Sequence, residues 1–428
     1  MSYLIRLLIL SEIFFSSPSA SAVSVLSFPL TKVDIRPTDS RGSYDVVSTL
    51  KRGAFTNVSV TNMGYSQYVM NVGVGDPPTY YSLVVDTGSS ITFVGRSKPY
   101  NKTSTSIATG QNVEVTYGLG YLAGPEYYDT VTLAPDIVIT NQSIGNVVAY
   151  TDWPGVDGVL GVGPVNLTVG SLSPNITSIV PTVMDNARLQ GLIQQQIMSV
   201  SFAPASTDND TNGVVMFGGV DSSLFVGNIT YVPVTSTYPA ALSWGINVTS
   251  CFYGETIIFL TSTAGTVDTG NSLVALADDF FATYMAAIPG SYYDNQSSFI
   301  VIPSSSIGNM QPLNLTIGGA VFTMDVAAQL VPIGQDSAWD GNPGVQYGTV
   351  GPLGRQSGQG WDFVLGQKFL ERYYAVFDGE KNRVGLAYTN YSTSPPPETS
   401  SASSNTFGFS LLALLSIITQ AYTLQLMF

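Results

Sequence analysis

Between about residue 53 and residue 390, apolar residues come in short runs rich in Val, Ile, Thr, Tyr and Phe, each closed by Gly, Pro, Asn or Asp. The runs Tyr68 to Gly75 and Val214 to Phe217 show the habit. Such runs suit strands on a pleated, half-buried surface, and the punctuation supplies turns, so the body is predicted to be an antiparallel all-β structure. Helical periodicity is scarce, the best stretches being Val183 to Gln196 and Ala277 to Ala287. Gly73-Val74-Gly75 runs into Asp76-Pro77-Pro78, which supplies neither the third glycine nor the helix of a dinucleotide site and predicts a hairpin turn. Asp208 to Gly213 opens like a calcium loop but has Gly219 where the closing Glu belongs, and reads as a polar hairpin loop. Asp278-Asp279 are placed at a helix start, where negative charge suits the dipole.

Both ends depart from this pattern. Residues 1–22 carry Arg6, an apolar stretch and a small-residue run ending Ala20-Ser21-Ala22, which reads as a cleaved signal peptide. Residues 23–52 hold Lys32, Arg36, Arg41, Lys51 and Arg52, and read either as a basic propeptide lying over an acidic cleft, with Lys51-Arg52 as a cut site, or as a linker. Two homologous lobes are expected to follow, at 53–225 and 226–390. A Ser/Thr/Pro-rich linker (391–406) leads to an uncharged apolar tail (407–428). No Lys or Arg follows Arg383, so the tail fits a GPI-attachment signal better than a spanning helix fixed by cytoplasmic charge, although a transmembrane anchor and a free end stay open.

Composition narrows the chemistry. Histidine is absent, which removes Ser-His-Asp and Cys-His catalysis and the usual zinc ligand sets, and leaves carboxylates as candidates. No cofactor and no metal are expected. With 29 acidic against 15 basic residues the chain should repel nucleic acid. The one cysteine, Cys251, cannot close an internal disulfide and reads as a buried small hydrophobe. Eleven Asn-x-Ser/Thr sequons, from Asn57 to Asn390, favour a secreted, extracellular protein.

The most informative feature is repetition. Val84-Val85-Asp86-Thr87-Gly88-Ser89-Ser90 is echoed by Thr266-Val267-Asp268-Thr269-Gly270-Asn271-Ser272, 182 positions later. Each copy has a downstream partner ending in glycine, Asp157-Gly158-Val159-Leu160-Gly161 for the first and Asp362-Phe363-Val364-Leu365-Gly366 for the second. This suggests a duplicated lobe contributing one carboxylate apiece. With Val115-Thr116-Tyr117-Gly118, Phe217 to Ser223, and Tyr374 to Asp378 running on to Val384 to Ala387, the chain resembles the pepsin-like aspartic proteases over nearly all of residues 65 to 388.

The resemblance implies a bilobal β fold whose cleft holds Asp86 and Asp268 facing each other, acting on protein or peptide substrates in acid, in a chain expected to be monomeric. Two close carboxyls cannot both ionise cheaply, so one is driven acidic and the other stays protonated, and together they supply a base and an acid for water attack on a peptide bond. Pepsin is the standard illustration of this pairing. Gly88 and Gly270 let backbone pass close to the carboxylates. By resemblance, Thr87 and Thr269 cross-link the loops, Ser89 donates to Asp86, and Tyr117 with Gly118 tips a flap that closes over substrate. Two departures stand out. Asn271 replaces the usual hydroxyl residue, its amide still able to donate to Asp268, and Phe93 stands where many members carry a Trp that bonds the flap tyrosine, which predicts a looser flap. A family member without catalysis, serving as a binding protein, and a two-carboxylate glycoside hydrolase are the competing readings; the latter leaves the paired Asp-Thr-Gly sites unexplained.

Overall fold

The strand Thr79–Asp86 sets the pattern for the first half: Leu83 and Val85 enter the main core, while Val84, facing the other way, enters a second cluster beneath the flap. Both faces are buried, so the run is continuously apolar rather than alternating. In the computed structural model, residues 55–392 are described except 64–66, 118–119, 152–154, 206–209, 333, 336–338 and 340. The signal peptide, propeptide and tail expected from the sequence, most of the linker, and Gly118 lie outside the described residues. Those described all belong to one unit, 1–395. None of their helices is long and apolar enough to cross a membrane.

The fold is bilobal and all-β, as expected, with few and short helices. One 15-stranded sheet carries most of the first half. It continues through Thr56–Met63, Gly213–Phe217 and Ile197–Ser201 into Tyr373–Asp378, Arg383–Tyr388 and Val226–Pro233, all antiparallel, so strands from both halves share it. The second half adds a five-stranded sheet, Gly245–Val248, Thr263–Val267, Phe363–Leu365, Val274–Leu276 and Val350–Pro352 in spatial order, a four-stranded sheet and a two-stranded ribbon.

Gly75 to Pro78 make the expected turn between Gln67–Val74 and Thr79–Asp86. The helix expected over 183–196 stops at Leu189. Thr182 and Asp185 cap its start reciprocally, and Gly191, at φ +71° and two residues beyond Leu189, turns the chain out of the helix. Asp278 and Asp279 do open the helix Asp278–Ala286, yet their carboxylates accept hydrogen bonds from Gly354 and Ser357 and so tether that neighbouring loop. Cys251 is free and fully buried, and burial pushes its thiol up to about 12, which keeps it an inert hydrophobe.

Candidate active site

Each Asp-Thr-Gly loop leaves the end of a strand whose neighbour is the matching downstream motif. Thr79–Asp86 runs parallel to Gly158–Gly161, with Asp86 opposite Gly161, and Thr263–Val267 runs parallel to Phe363–Leu365. The loops are then sewn to those neighbours: Val162 N–H donates to Asp86 O at 2.8 Å, and Gln367 N–H to Asn271 O at 2.7 Å. The glycines closing the two motifs are forced by this approach. A Cβ on Gly161 would come within 2.5 Å of Ile91 N, and one on Gly366 would collide with the Asn271 and Leu273 carbonyls. The preceding acids have paired jobs as well, Asp157 accepting from Ser82 N–H at 2.9 Å and Asp362 from Thr263 and Gly358.

The two loops then lock onto each other. Thr87 N–H donates to Thr269 Oγ1 and Thr269 N–H to Thr87 Oγ1, both at 3.0 Å. The hydroxyls reach further across, Thr87 Oγ1 to Val267 O at 3.3 Å and Thr269 Oγ1 to Val85 O at 2.7 Å. Four hydrogen bonds between chain segments 182 positions apart thus hold the strand ends bearing Asp86 and Asp268 in one register.

That lock brings the two carboxyls into hydrogen-bond contact with each other, and both are buried. A Cβ on Gly88 would come within 2.5 Å of Asp268 Oδ2, and one on Gly270 would strike Asp86, so only glycine lets each loop pass the opposite carboxyl. The donors are unequal. Asp86 accepts from Gly88 N–H at 2.8 Å and, at its other oxygen, from the Ser89 hydroxyl. Asp268 accepts from Gly270 N–H at 2.9 Å and from the Gly88 backbone, while Asn271 turns its Oδ1 back onto Leu273 N–H at 3.0 Å. The sequence allowed Asn271 an amide bond to Asp268; the short side chain instead caps its own turn. Burial raises Asp86 above the ordinary carboxylate value, partly offset by Ser89. Burial and then the Asp86 charge raise Asp268 well above it. Two raised carboxyls this close favour one proton shared by the pair.

Above the pair stands the hairpin Ile107–Tyr117 and Gly120–Ala134, with Tyr117 opposite Gly120. Along its first strand Val113 and Val115 face inward and Glu114 and Thr116 outward, so the flap has one dry and one wet face. Tyr117 rests on the cluster of Val84, Ile91, Phe93, Val113, Val115 and Leu122. Its hydroxyl lies beside Ser89, and burial followed by the Asp86 charge pushes its ionisation far up, keeping it a neutral hydrogen-bonding group. Phe93 is fully buried beneath it.

Two supporting groups were not legible in the motifs. Gln367 Nε2 donates to Thr269 O at 3.0 Å, bracing the second loop from behind, and Trp244 Nε1 donates to Val162 O at 3.4 Å from the opposite half of the chain. Gln367 directly follows Gly366, and that adjacency is the only sequence signal for it.

The eukaryotic aspartyl protease family model matches residues 67–389. Polyporopepsin of Irpex lacteus is 48% identical over 326 residues, 76% of this chain and 95% of its own length. Pepsin A of Suncus murinus is 32% identical over 339 residues, 75% of this chain and 80% of its own. The crystal structure of an aspartic proteinase from Irpex lacteus, also 48% identical, superposes with a TM-score of 0.76 over 79% of this chain and 99% of that one. The chain belongs to the eukaryotic aspartyl protease family and is an aspartic endopeptidase of the pepsin-like type.

Proposed function

We propose that Asp86 and Asp268 are the catalytic pair, cleaving peptide bonds of protein substrates at acidic pH with a water held between them. The observation that carries this is the contact of two buried carboxyls with unequal donors. Asp86, whose charge Ser89 and Gly88 stabilise, takes a proton from the water as its oxygen attacks the scissile carbonyl carbon; Asp268 gives its proton to the carbonyl oxygen. The tetrahedral intermediate collapses as Asp86 passes its new proton to the leaving nitrogen, Asp268 takes a proton back from one hydroxyl of the gem-diol and the C–N bond breaks, which returns the pair to its one-proton state. Thr87, Gly88, Thr269 and Gly270 position the carboxyls, Asn271 shapes the second loop, and Tyr117 with Gly118 closes over the bound peptide and excludes water.

The same reading makes the chain a secreted zymogen with a signal peptide at 1–22, a basic propeptide at 23–52 and GPI attachment through the tail. The sequons and the basic charge gathered before the body support it. Casein digestion from pH 3 to 7, with and without a statine-type peptide, tests the catalytic assignment on the parent and on Asp268→Asn. Inhibitor-sensitive acid proteolysis lost in the variant is the expected result. No inhibitor-sensitive cleavage by the parent at any pH would favour a binding protein.

A further inference from the structure

Only 10% of the residues are charged, less than half the roughly 25% of an ordinary soluble domain. Several large apolar side chains nevertheless stand in solvent, among them Leu189 at 82% exposure, Ile179 at 56% and Ile176 at 54%. Single exposed aliphatics are ordinary, but Ile176 and Ile179 stand together, and a local apolar patch on a surface with few charges is suited to a polar cover.

The sequons lie beside these side chains. Asn175 is exposed and immediately precedes Ile176, and the hydroxyl of its own sequon, Thr177 Oγ1, lies 3.4 Å from its Oδ1. Ile176 also borders an open groove of about 830 Å³ that runs between the outer flap strand, at Asn112 and Glu114, and Val148, itself 65% exposed. Asn141 is exposed next to Thr140, whose backbone N–H and carbonyl are clamped by the Gln190 side chain at 3.0 and 2.9 Å. Gln190 follows Leu189, so Asn141 and Leu189 flank one bonded junction.

Asn314 is the opposite case. It sits in Leu313–Ile317, an interior strand of the four-stranded sheet, half-buried, with Oδ1 accepting from Thr323 Oγ1 at 2.7 Å. The sequon hydroxyls do not separate the sites, since Thr316 is bonded to Ser250 at 2.8 Å and Ser143 of the Asn141 sequon is buried and bonded to Glu126; the difference is that the Asn141 side chain itself stands exposed. A glycan on Asn314 would break a satisfied pair and crowd both neighbouring strands.

We propose that Asn141 and Asn175 carry N-linked glycans that cover Leu189 and the Ile176–Ile179 surface beside the flap stem, and that Asn314 stays bare. The proposal rests on the secretion reading above. A branched carbohydrate supplies a polar, bulky cover for these aliphatic side chains. The full chain is to be secreted from a yeast host, trimmed with an endoglycosidase that leaves one N-acetylglucosamine per site, and mapped by peptide mass spectrometry. The expected result is the sugar on the Asn141 and Asn175 peptides and none on the Asn314 peptide. Bare Asn141 or Asn175, or an occupied Asn314, in material glycosylated elsewhere would overturn the assignment and leave secretion standing. Protein retained in the cell with every sequon bare would overturn both. The Asn141→Gln/Asn175→Gln protein should lose both sugars, bind more of an apolar dye and keep its turnover; unchanged dye binding would sink the covering role.

Discussion

Lys368 Nζ stands 3.1 Å from both carboxylate oxygens of Glu371, and both side chains are almost wholly shut off from solvent. The pair lies one turn beyond Gly366, directly after the Gln367 that braces Thr269, with the ammonium also over the Trp339 ring at 5.5 Å. Burial pushes the Glu371 carboxyl up, and the Lys368 charge pulls it part of the way back. Removing one partner strands a buried charge. Lys368→Met should cost about 3–5 kcal/mol, whereas Lys368→Met with Glu371→Leu should recover most of the loss, because two apolar groups of similar volume need no solvation. Urea unfolding of the single and double variants checks this. A single variant within about 0.5 kcal/mol of the parent would mean that the site takes up water and never isolates the charge.

Stability should fall as pH rises from mildly acidic toward neutral. Asp86, Asp268 and Glu371 all sit above their ordinary values of 3.8, 3.8 and 4.5, chiefly through burial. An acid held above its unfolded value binds its proton more tightly when folded. Its contribution is complete below the unfolded value and drains away as pH climbs through the folded one. Asp221, Asp279, Asp294 and Glu380 are lowered by hydrogen bonds and work the other way, losing their contribution as pH falls below the ordinary range, but they are near the surface and screened. The melting temperature should therefore peak near the ordinary carboxylate range and decline above it. Calorimetry from pH 3 to 7.5 measures the curve, and a melting temperature that climbed steadily between pH 5 and 7 would contradict the assignment of the buried acids.

What the sequence disclosed and what it withheld divide along physical lines. Asp86, Asp268 and the glycines beside them were legible because each loop needs a particular residue at a particular backbone position, and the need recurs 182 residues on. The flap hairpin was legible only through the resemblance carried by Val115-Thr116-Tyr117-Gly118, and the structure adds the alternation of Val113, Glu114 and Val115. The carbonyls of Val85 and Val267 that receive the threonine hydroxyls were not, since any residue supplies a carbonyl and only the tertiary register selects it. The use of Asn271 Oδ1 was hidden for a related reason: it accepts from Leu273 N–H, a turn bond that only the local backbone geometry reveals. The early end of the Val183–Leu189 helix follows from Gly191, whose effect outweighed the apolar spacing beyond it. Lys368 and Glu371 fall within a largely apolar stretch and gave no sign of being buried together.

The threonine lock predicts a separation between positioning and binding. Thr87→Ala removes the hydroxyl that accepts from Thr269 N–H and leaves that buried donor unpaired, at a cost of about 1–3 kcal/mol. The loop bearing Asp268 loses a restraint, so kcat should fall while KM for a peptide substrate moves little. Thr87→Ser restores the hydroxyl and should recover most of both losses. If alanine and serine behaved alike, the threonine methyl and not the hydrogen bonds would be holding the loops.

If Asp86 is the base, as proposed, Ser89 should set the acid limb of the rate profile. Its hydroxyl donates to the Asp86 oxygen that does not take the Gly88 N–H, and this bond lowers a carboxyl that burial alone would raise further. A hydrogen bond to a charged group contributes about 1.5–3 kcal/mol, which is roughly 1–2 pH units of displacement. The proposed mechanism requires Asp86 ionised. Ser89→Ala should therefore move the acidic limb of kcat/KM upward by about that amount, leaving the enzyme less active at low pH and closer to the parent above it. Tyr117 lies beside the same hydroxyl, and Phe93 offers the flap no donor, so Ser89→Ala should also raise KM, and Tyr117→Phe should reproduce the rise in KM with a smaller shift of the limb. Stopped assays on a quenched fluorescent peptide from pH 2.5 to 7 separate the two effects. A limb that stayed in place in Ser89→Ala would show that the backbone N–H groups of Gly88 and Ser89, with Asp268, govern the Asp86 charge without the hydroxyl.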